Sequence, residues 1–120
     1  MRYELNQILP GIRIFPTNAP KDVKGNFIIY YRKSTEWQKD LSGFVKNQSI
    51  NYIINVMGES YEEMYNMREA VEGLLRDMIS AYIGENDEIL VNDVELNNIG
   101  EIHEFHLGLY RGIVDFVVFI

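Results

Sequence analysis

The residues best equipped for chemistry are His103-Glu104-Phe105-His106, which hold both histidines of the 120-residue chain. Imidazoles can bind a metal or move a proton near neutral pH. On a strand, side chains three apart point to opposite faces, so the two rings would share a metal only on a helix or across a bulge. The plainer reading is a pair of partly exposed sheet-edge histidines. Glu62 and Glu63 are the paired carboxylates that general acid and base work would use. They stand, however, in an expected helix first turn, where negative charge offsets the helix dipole. Gly100, Gly108 and Gly112 do not form a phosphate-binding loop between a strand and a helix N-terminus, and mark turns instead. Ser34, Ser42, Ser49, Ser60 and Ser80 have no motif that would activate a hydroxyl, and the chain has no cysteine, so nucleophilic catalysis has little to draw on. The residues assign no catalytic group, metal ligand or cofactor site, and the chain is read as not an enzyme.

Composition narrows the partners. Eleven Lys and Arg against eighteen Asp and Glu give a net charge of −7, which disfavours binding by phosphate neutralisation. No run approaches the ~18 apolar residues of a membrane span, and the N-terminus lacks a signal-peptide layout. A soluble, cytoplasmic protein with neither a membrane nor a sequence-specific nucleic-acid partner is expected. The length suits one domain over residues 1–120, and 47% hydrophobic residues suffice for its core without disulfides.

The elements that must position these residues follow from periodicity. A short helix is expected over 3–9, ended by Pro10-Gly11, then an extended Ile12-Arg13-Ile14-Phe15 and a proline-containing loop to Gly25. Phe27-Ile28-Ile29-Tyr30-Tyr31-Arg32 reads as an inner strand, and the polar stretch 34–47 as a loop or the mobile end of a hairpin. A strand over 50–57 places Ile50, Tyr52, Ile54 and Val56 on its core face. Ser60-Tyr61-Glu62-Glu63 is a capping box opening a helix over about 60–83. Its core stripe is Met64, Met67, Val71, Leu74, Leu75, Met78 and Tyr82, with Gly84 as its stop. Arg68, Glu72 and Arg76 lie on its flank at four-residue spacing. Beyond it, 89–91 and 94–96 suggest a hairpin about Asn92-Asp93, followed by a strand over about 102–107 and a glycine corner over 108–112. The last stretch, 113–120, is almost wholly apolar. It is buried on both faces, or covered on one face by its own helices and on the other by a neighbouring subunit.

Several residues exceed what a monomer needs. Trp37 and Phe44 are the aromatics of the polar stretch, and Trp37 is either tucked onto its own domain or offered to a partner. Tyr61, Tyr65, Ile79 and Ile83 widen the helix's apolar surface. Gly73 projects opposite the core stripe, either by drift or to admit another chain. Trp37, Phe44, Tyr61, Tyr65 and Gly73 are therefore the candidate interaction residues.

The order of elements, from Ile12-Arg13-Ile14-Phe15 through Phe27-Ile28-Ile29-Tyr30-Tyr31, Tyr52-Ile53-Ile54-Asn55-Val56-Met57 and Glu59-Ser60-Tyr61-Glu62-Glu63-Met64 to Leu109-Tyr110-Arg111 and Asp115-Phe116-Val117-Val118, resembles the tail completion or tail terminator proteins of long-tailed phages. The resemblance spans nearly the whole chain as a pattern of elements and residue classes. It implies an α+β fold, an antiparallel or mixed sheet with the long helix and a short N-terminal helix on one face and β-hairpin elements after the long helix. It also implies a structural virion protein of a phage or prophage, assembled in the host cytoplasm and located in the tail or neck. Such a subunit joins copies of itself in a ring, commonly a hexamer, that caps the tail tube protein and meets a head-connector or head-closure protein. DNA would pass through the lumen unread. The family supplies no catalytic or cofactor residue to carry over, and its first helix is longer. The competing expectation, from a different class, is a small cytoplasmic α+β enzyme or ligand-binding domain.

Overall fold

The computed structural model of the chain describes residues 1–19, 23–39, 45–87 and 89–120. The fold is α+β: a mixed five-stranded sheet, two helices and a minor two-stranded sheet. Helix α1 (Arg2–Ile8) leads into strand β1 (Arg13–Pro16), followed by β2 (Phe27–Lys39), β3 (Val45–Gly58), helix α2 (Tyr61–Met78), β4 (Tyr82–Ile83), β5 (Ile89–Leu90), β6 (Asp93–Glu104) and β7 (Leu109–Phe119). The main sheet runs β1-β2-β3-β7-β6, with β1 parallel to β2 and every other pairing antiparallel. Among the described residues no helix is long and apolar enough to cross a membrane.

Alternation on the central strands produces the core. Ile54 and Val56 of β3 and Val114, Phe116 and Val118 of β7 are buried on one face, beneath Met64, Met67, Val71, Leu75 and Met78 of α2. Leu5 of α1 joins the same core. Gly112 sits in mid-strand on β7, opposite Val56. A Cβ there would lie 2.8 Å from both Met64 Sδ and Val56 Cγ2, so the missing side chain lets α2 settle onto the sheet. The other face of β7, bearing Ile113, Asp115, Val117 and Phe119, is only half-buried. The chain's own helices thus cover one face of this apolar strand, and double burial within the chain is not what is seen.

Four sequence expectations change. The helix ends at Met78 rather than 83, so the two helices have 7 and 18 residues. Ile79 is extended, Ser80 turns to φ 62°, and the Ser80 N–H donates to Val91 O, so tertiary pairing takes over from the helical pattern. Tyr82 consequently leaves the core stripe and lies 61% exposed on β4. Gly84 (φ 96°) belongs to the turn between β4 and β5, not to a helix stop. Second, much of the polar 34–47 stretch is strand, because β2 continues to Lys39 and β3 begins at Val45. Third, Asn92-Asp93 makes no hairpin: β5 pairs with β4, while β6 enters the main sheet. Finally, β6 is one strand from Asp93 to Glu104, bulged between Leu96 and Asn98. β7 starts at Leu109, so the corner is 105–108, with Gly108 at φ 65°.

The capping box forms. Ser60 Oγ accepts the Glu63 N–H at 3.2 Å, and its hydroxyl donates back to Glu63 Oε2 at 3.2 Å. Gly73, in the fourth turn of α2, has open space beside it, since an added Cβ would meet only Arg76 Nη2 at 3.9 Å. Gly73→Ala is therefore expected to stabilise the isolated chain by about 0.8–1 kcal/mol, a rise of roughly 4 °C in Tm. Thermal melting followed by circular dichroism checks it. A fall in Tm would mean that the helix interior tolerates no side chain there.

Candidate interaction surface

One end of the molecule gathers rings from three elements, all exposed except the half-buried Tyr110. The Ser60 cap fixes the start of α2, which sets Tyr61 and Tyr65 one turn apart on its exposed flank, 47% and 40% exposed. Their rings stack with centroids 6.3 Å apart. Tyr110, at the start of β7, meets Tyr61 edge-on at 6.1 Å. Register pairs Tyr110 with His103 across the β6–β7 ladder, and the two rings stack at 4.4 Å and 11°. Phe105, from the turn beyond β6, tilts against His103 at 4.3 Å and is 81% exposed. Five rings thus run continuously from α2 to the end of the sheet. Such pairs contribute about 0.5–1.5 kcal/mol each when well packed, but an outer ring this open keeps most of its apolar area in water.

An ion pair holds the helix to the sheet beneath these rings. Glu101 of β6 accepts hydrogen bonds at Oε1 from Arg68 Nη1 and from the Tyr61 hydroxyl, the latter at 3.2 Å. The Arg68 guanidinium lies 5.3 Å over the Tyr65 ring. Hydrogen bonds from Arg68 and then Tyr61 hold the Glu101 carboxyl below its ordinary value of 4.5. The same Glu101 bond raises the Tyr61 phenol. Buried Glu72 moves the other way, raised first by burial and then by the neighbouring charge of Glu69. Arg68 and Glu72, expected on a solvated flank, are both buried. Arg68 faces β6, where it pairs with Glu101, and its charge also acts on Glu72 one turn along the helix.

The signs of these shifts give a pH prediction. Glu101, depressed in the folded state, stabilises above the unfolded carboxyl pKa, and the gain is lost as pH falls through its lower folded value. Glu101→Gln should therefore lower Tm at pH 7 and converge with the unsubstituted protein in acid, once pH has fallen below the depressed folded pKa of Glu101. Glu72, raised in the folded state, penalises folding above its folded pKa, so Glu72→Gln should raise Tm at pH 7, the gain shrinking in acid. Melting curves across pH 3–7 read both; parallel curves for Glu101→Gln would contradict the assignment.

Between these groups lies a cleft of about 210 Å³, lined by Tyr61, Met64, Glu101, Ile102, His103 and Tyr110. It offers flat aromatic faces, one carboxylate and no nucleophile with an adjacent base. Flat aromatic faces of this kind suit contact with another surface. A larger cleft of about 480 Å³ opens on the other side of the sheet by Phe27, Ile29, Met57, His106 and Arg111. The two histidines therefore open on different clefts. Among the described residues no three His, Asp or Glu side chains are grouped to hold a metal ion.

Of the expected interaction residues, Tyr61 and Tyr65 come together here. Gly73 lies farther along α2 and outside the cluster. Trp37 has its backbone on β2, paired with Gln48, but its side chain lies outside the described residues, as does the whole of Phe44. Tyr110, Phe105, Arg68 and Glu101 are additions that depend on the β6–β7 register, and His103 turns out to be an aromatic-stacking residue.

No family model and no curated protein matches the sequence. Among solved structures, the chain is similar to a chain in the virion of a native gene transfer agent particle, with a TM-score of 0.62 and 10% identity. The superposition covers 95% of this chain and 81% of that one, and at this identity the likeness is one of fold.

Proposed function

We propose that this protein is a structural subunit of a phage-type particle, a tail-completion protein that forms a ring, caps the tail tube and presents a surface to the head connector. The observation that carries the reading is the fold likeness to a virion chain, which extends over 95% of this chain. The order of elements along the sequence supports the same role, and so does a surface rich in open rings. On this reading the protein resides in the tail or neck, is assembled in the bacterial cytoplasm, and works by contact rather than by catalysis. Its partners are copies of itself, the tail tube protein and a head-connector or head-closure protein.

The aromatic end is the part of this subunit suited to docking on another virion protein. Aromatic anchors dominate contact energies, and truncating one typically costs 2 kcal/mol or more in binding when it sits at an interface centre. Disrupting the gene in its phage or prophage is expected to leave filled heads and tails unjoined, with tails of ungoverned length. Complementation with the unsubstituted gene should restore joined particles, whereas Tyr61→Ala with Phe105→Ala should not. Normal particles from the disrupted strain would overturn the reading.

A further inference from the structure

We propose that neighbouring copies join through two unlike sheet edges, the outer edge of β2 beyond Tyr30 and the outer edge of β6, paired antiparallel into a continuous sheet. This deepens the ring reading above and rests on it. The first observation is that β1 covers only the beginning of β2. Its register ends at Pro16 opposite Tyr30, where proline has no N–H to continue the ladder and Thr17 turns away at φ 69°. From Tyr31 onward no described backbone group pairs with that side of β2, and none pairs with the outer side of β6 between Asp93 and Glu104. Open edges of this kind are templates for another strand.

The second observation is geometric. Register carries Tyr31 across Ile53 and Asp115 to Asn98, and Arg32 across Tyr52 and Phe116 to Leu96. The open stretch of β2 and the first half of β6 therefore stand at the same level on opposite sides of the sheet. Three antiparallel steps separate the two strands, so β6 runs opposite to β2. Copies placed side by side in one orientation consequently bring β6 of one against β2 of the next as an antiparallel pair. A contact between unlike surfaces repeated in one orientation closes into a ring when its rotation divides a full turn.

Charge selects the partner. Eight of the eleven Lys and Arg lie in the first 46 residues against four acids, whereas the remaining 74 residues hold fourteen of the eighteen Asp and Glu. Along the matched stretch, β2 presents exposed Arg32, level with Leu96, and exposed Lys33 beside it, while β6 presents exposed Glu95, level with Ser34, and exposed Asp93 at the far end, level with Glu36. Two β6 edges repel each other, two β2 edges do the same, and the unlike pair attracts. Leu96 and Ile99, both exposed on β6, are the apolar area such a contact would cover.

The test uses sedimentation of the full chain and its ability to cap tail tubes. The unsubstituted protein should self-associate at low salt and about tenfold or more weakly in ~1 M salt, where the screening length falls to about 3 Å. Arg32→Glu with Lys33→Glu should abolish association, as should Asp93→Lys with Glu95→Lys. An equimolar mixture of the two variants should regain it, because each then offers the edge the other lacks. Unchanged melting of each variant separates lost association from lost folding. The proposal is overturned if the unsubstituted protein stays monomeric at low salt and high concentration, if either reversal leaves association intact, or if the mixture fails to restore it. Capping by both reversed variants would refute the edges while leaving the ring role standing. Failure of the unsubstituted protein to cap tubes would count against the role itself.

Discussion

Gly58→Ala is expected to destabilise the protein by about 3 kcal/mol or more, at the upper end of overpacking costs. Gly58 ends β3 immediately before the α2 cap, and a Cβ there would lie 2.5 Å from Met64 N and 2.9 Å from Met64 Cα. Those atoms are helix backbone, so a rotamer change cannot relieve the clash. The first turn of α2 would have to lift. That motion breaks the Ser60 cap and strains the bond in which the Glu59 N–H donates to Asn26 Oδ1 at 2.8 Å. It also displaces Tyr61 from Glu101. Urea unfolding should show a lower midpoint, and tyrosine near-ultraviolet circular dichroism should change even where the variant remains folded. A variant with an unchanged midpoint would mean that α2 does not approach the strand so closely.

Phe116→Ala should cost about 3–5 kcal/mol, against a typical total of 5–15 kcal/mol for a domain. Phe116 is fully buried at the centre of the sheet, on the helix-covered face, and stacks on Tyr52 at 5.7 Å. Truncation leaves a cavity between β7 and α2 that strands on both sides hold open. Phe119, three residues along the same strand, is a natural control because it lies on the opposite, half-buried face. Phe119→Ala should cost much less in dilute solution. Equal costs for the two would indicate that the second face is covered by another copy even in the free protein.

The part of this architecture readable from the residues is the part set locally. The strand over 50–57, the cap at Ser60 and a period near 3.6 from Met64 to Met78 each depend on neighbours within one or two turns and appear where expected, although burial runs unbroken from Ile54 to Met57 rather than alternating. The end of α2 was not readable, because its determinant is the bond from Ser80 to Val91, an element later in the chain. The continuity of β6 was hidden for a similar reason. Gly100 reads as a turn marker, yet pairing with β7 carries the strand through it, with one bulge between Leu96 and Asn98. The extension of β2 and β3 into the polar 34–47 stretch likewise comes from cross-strand pairing rather than from side-chain pattern.

The surface divides along the same line. Tyr61 and Tyr65 were evident as rings left over from the helix stripe, a purely helical argument. Their partners were not, since Glu101 and Tyr110 reach them only through the register of two strands some forty residues away. His103 lies exposed on the edge strand β6, as the plainer sequence reading has it, and only the β6–β7 register shows that its ring stacks on Tyr110. Arg68 shows the converse, an ordinary charge at four-residue spacing from Glu72 that pairing with Glu101 of β6 turns into part of the site.

Electron microscopy of tail tube protein polymerised with and without this chain tests whether the proposed ring ends a tail tube. The account predicts tubes that stop growing, each with a closed ring of this protein at one end. Tubes that lengthen without limit in its presence, with bare ends, would contradict it.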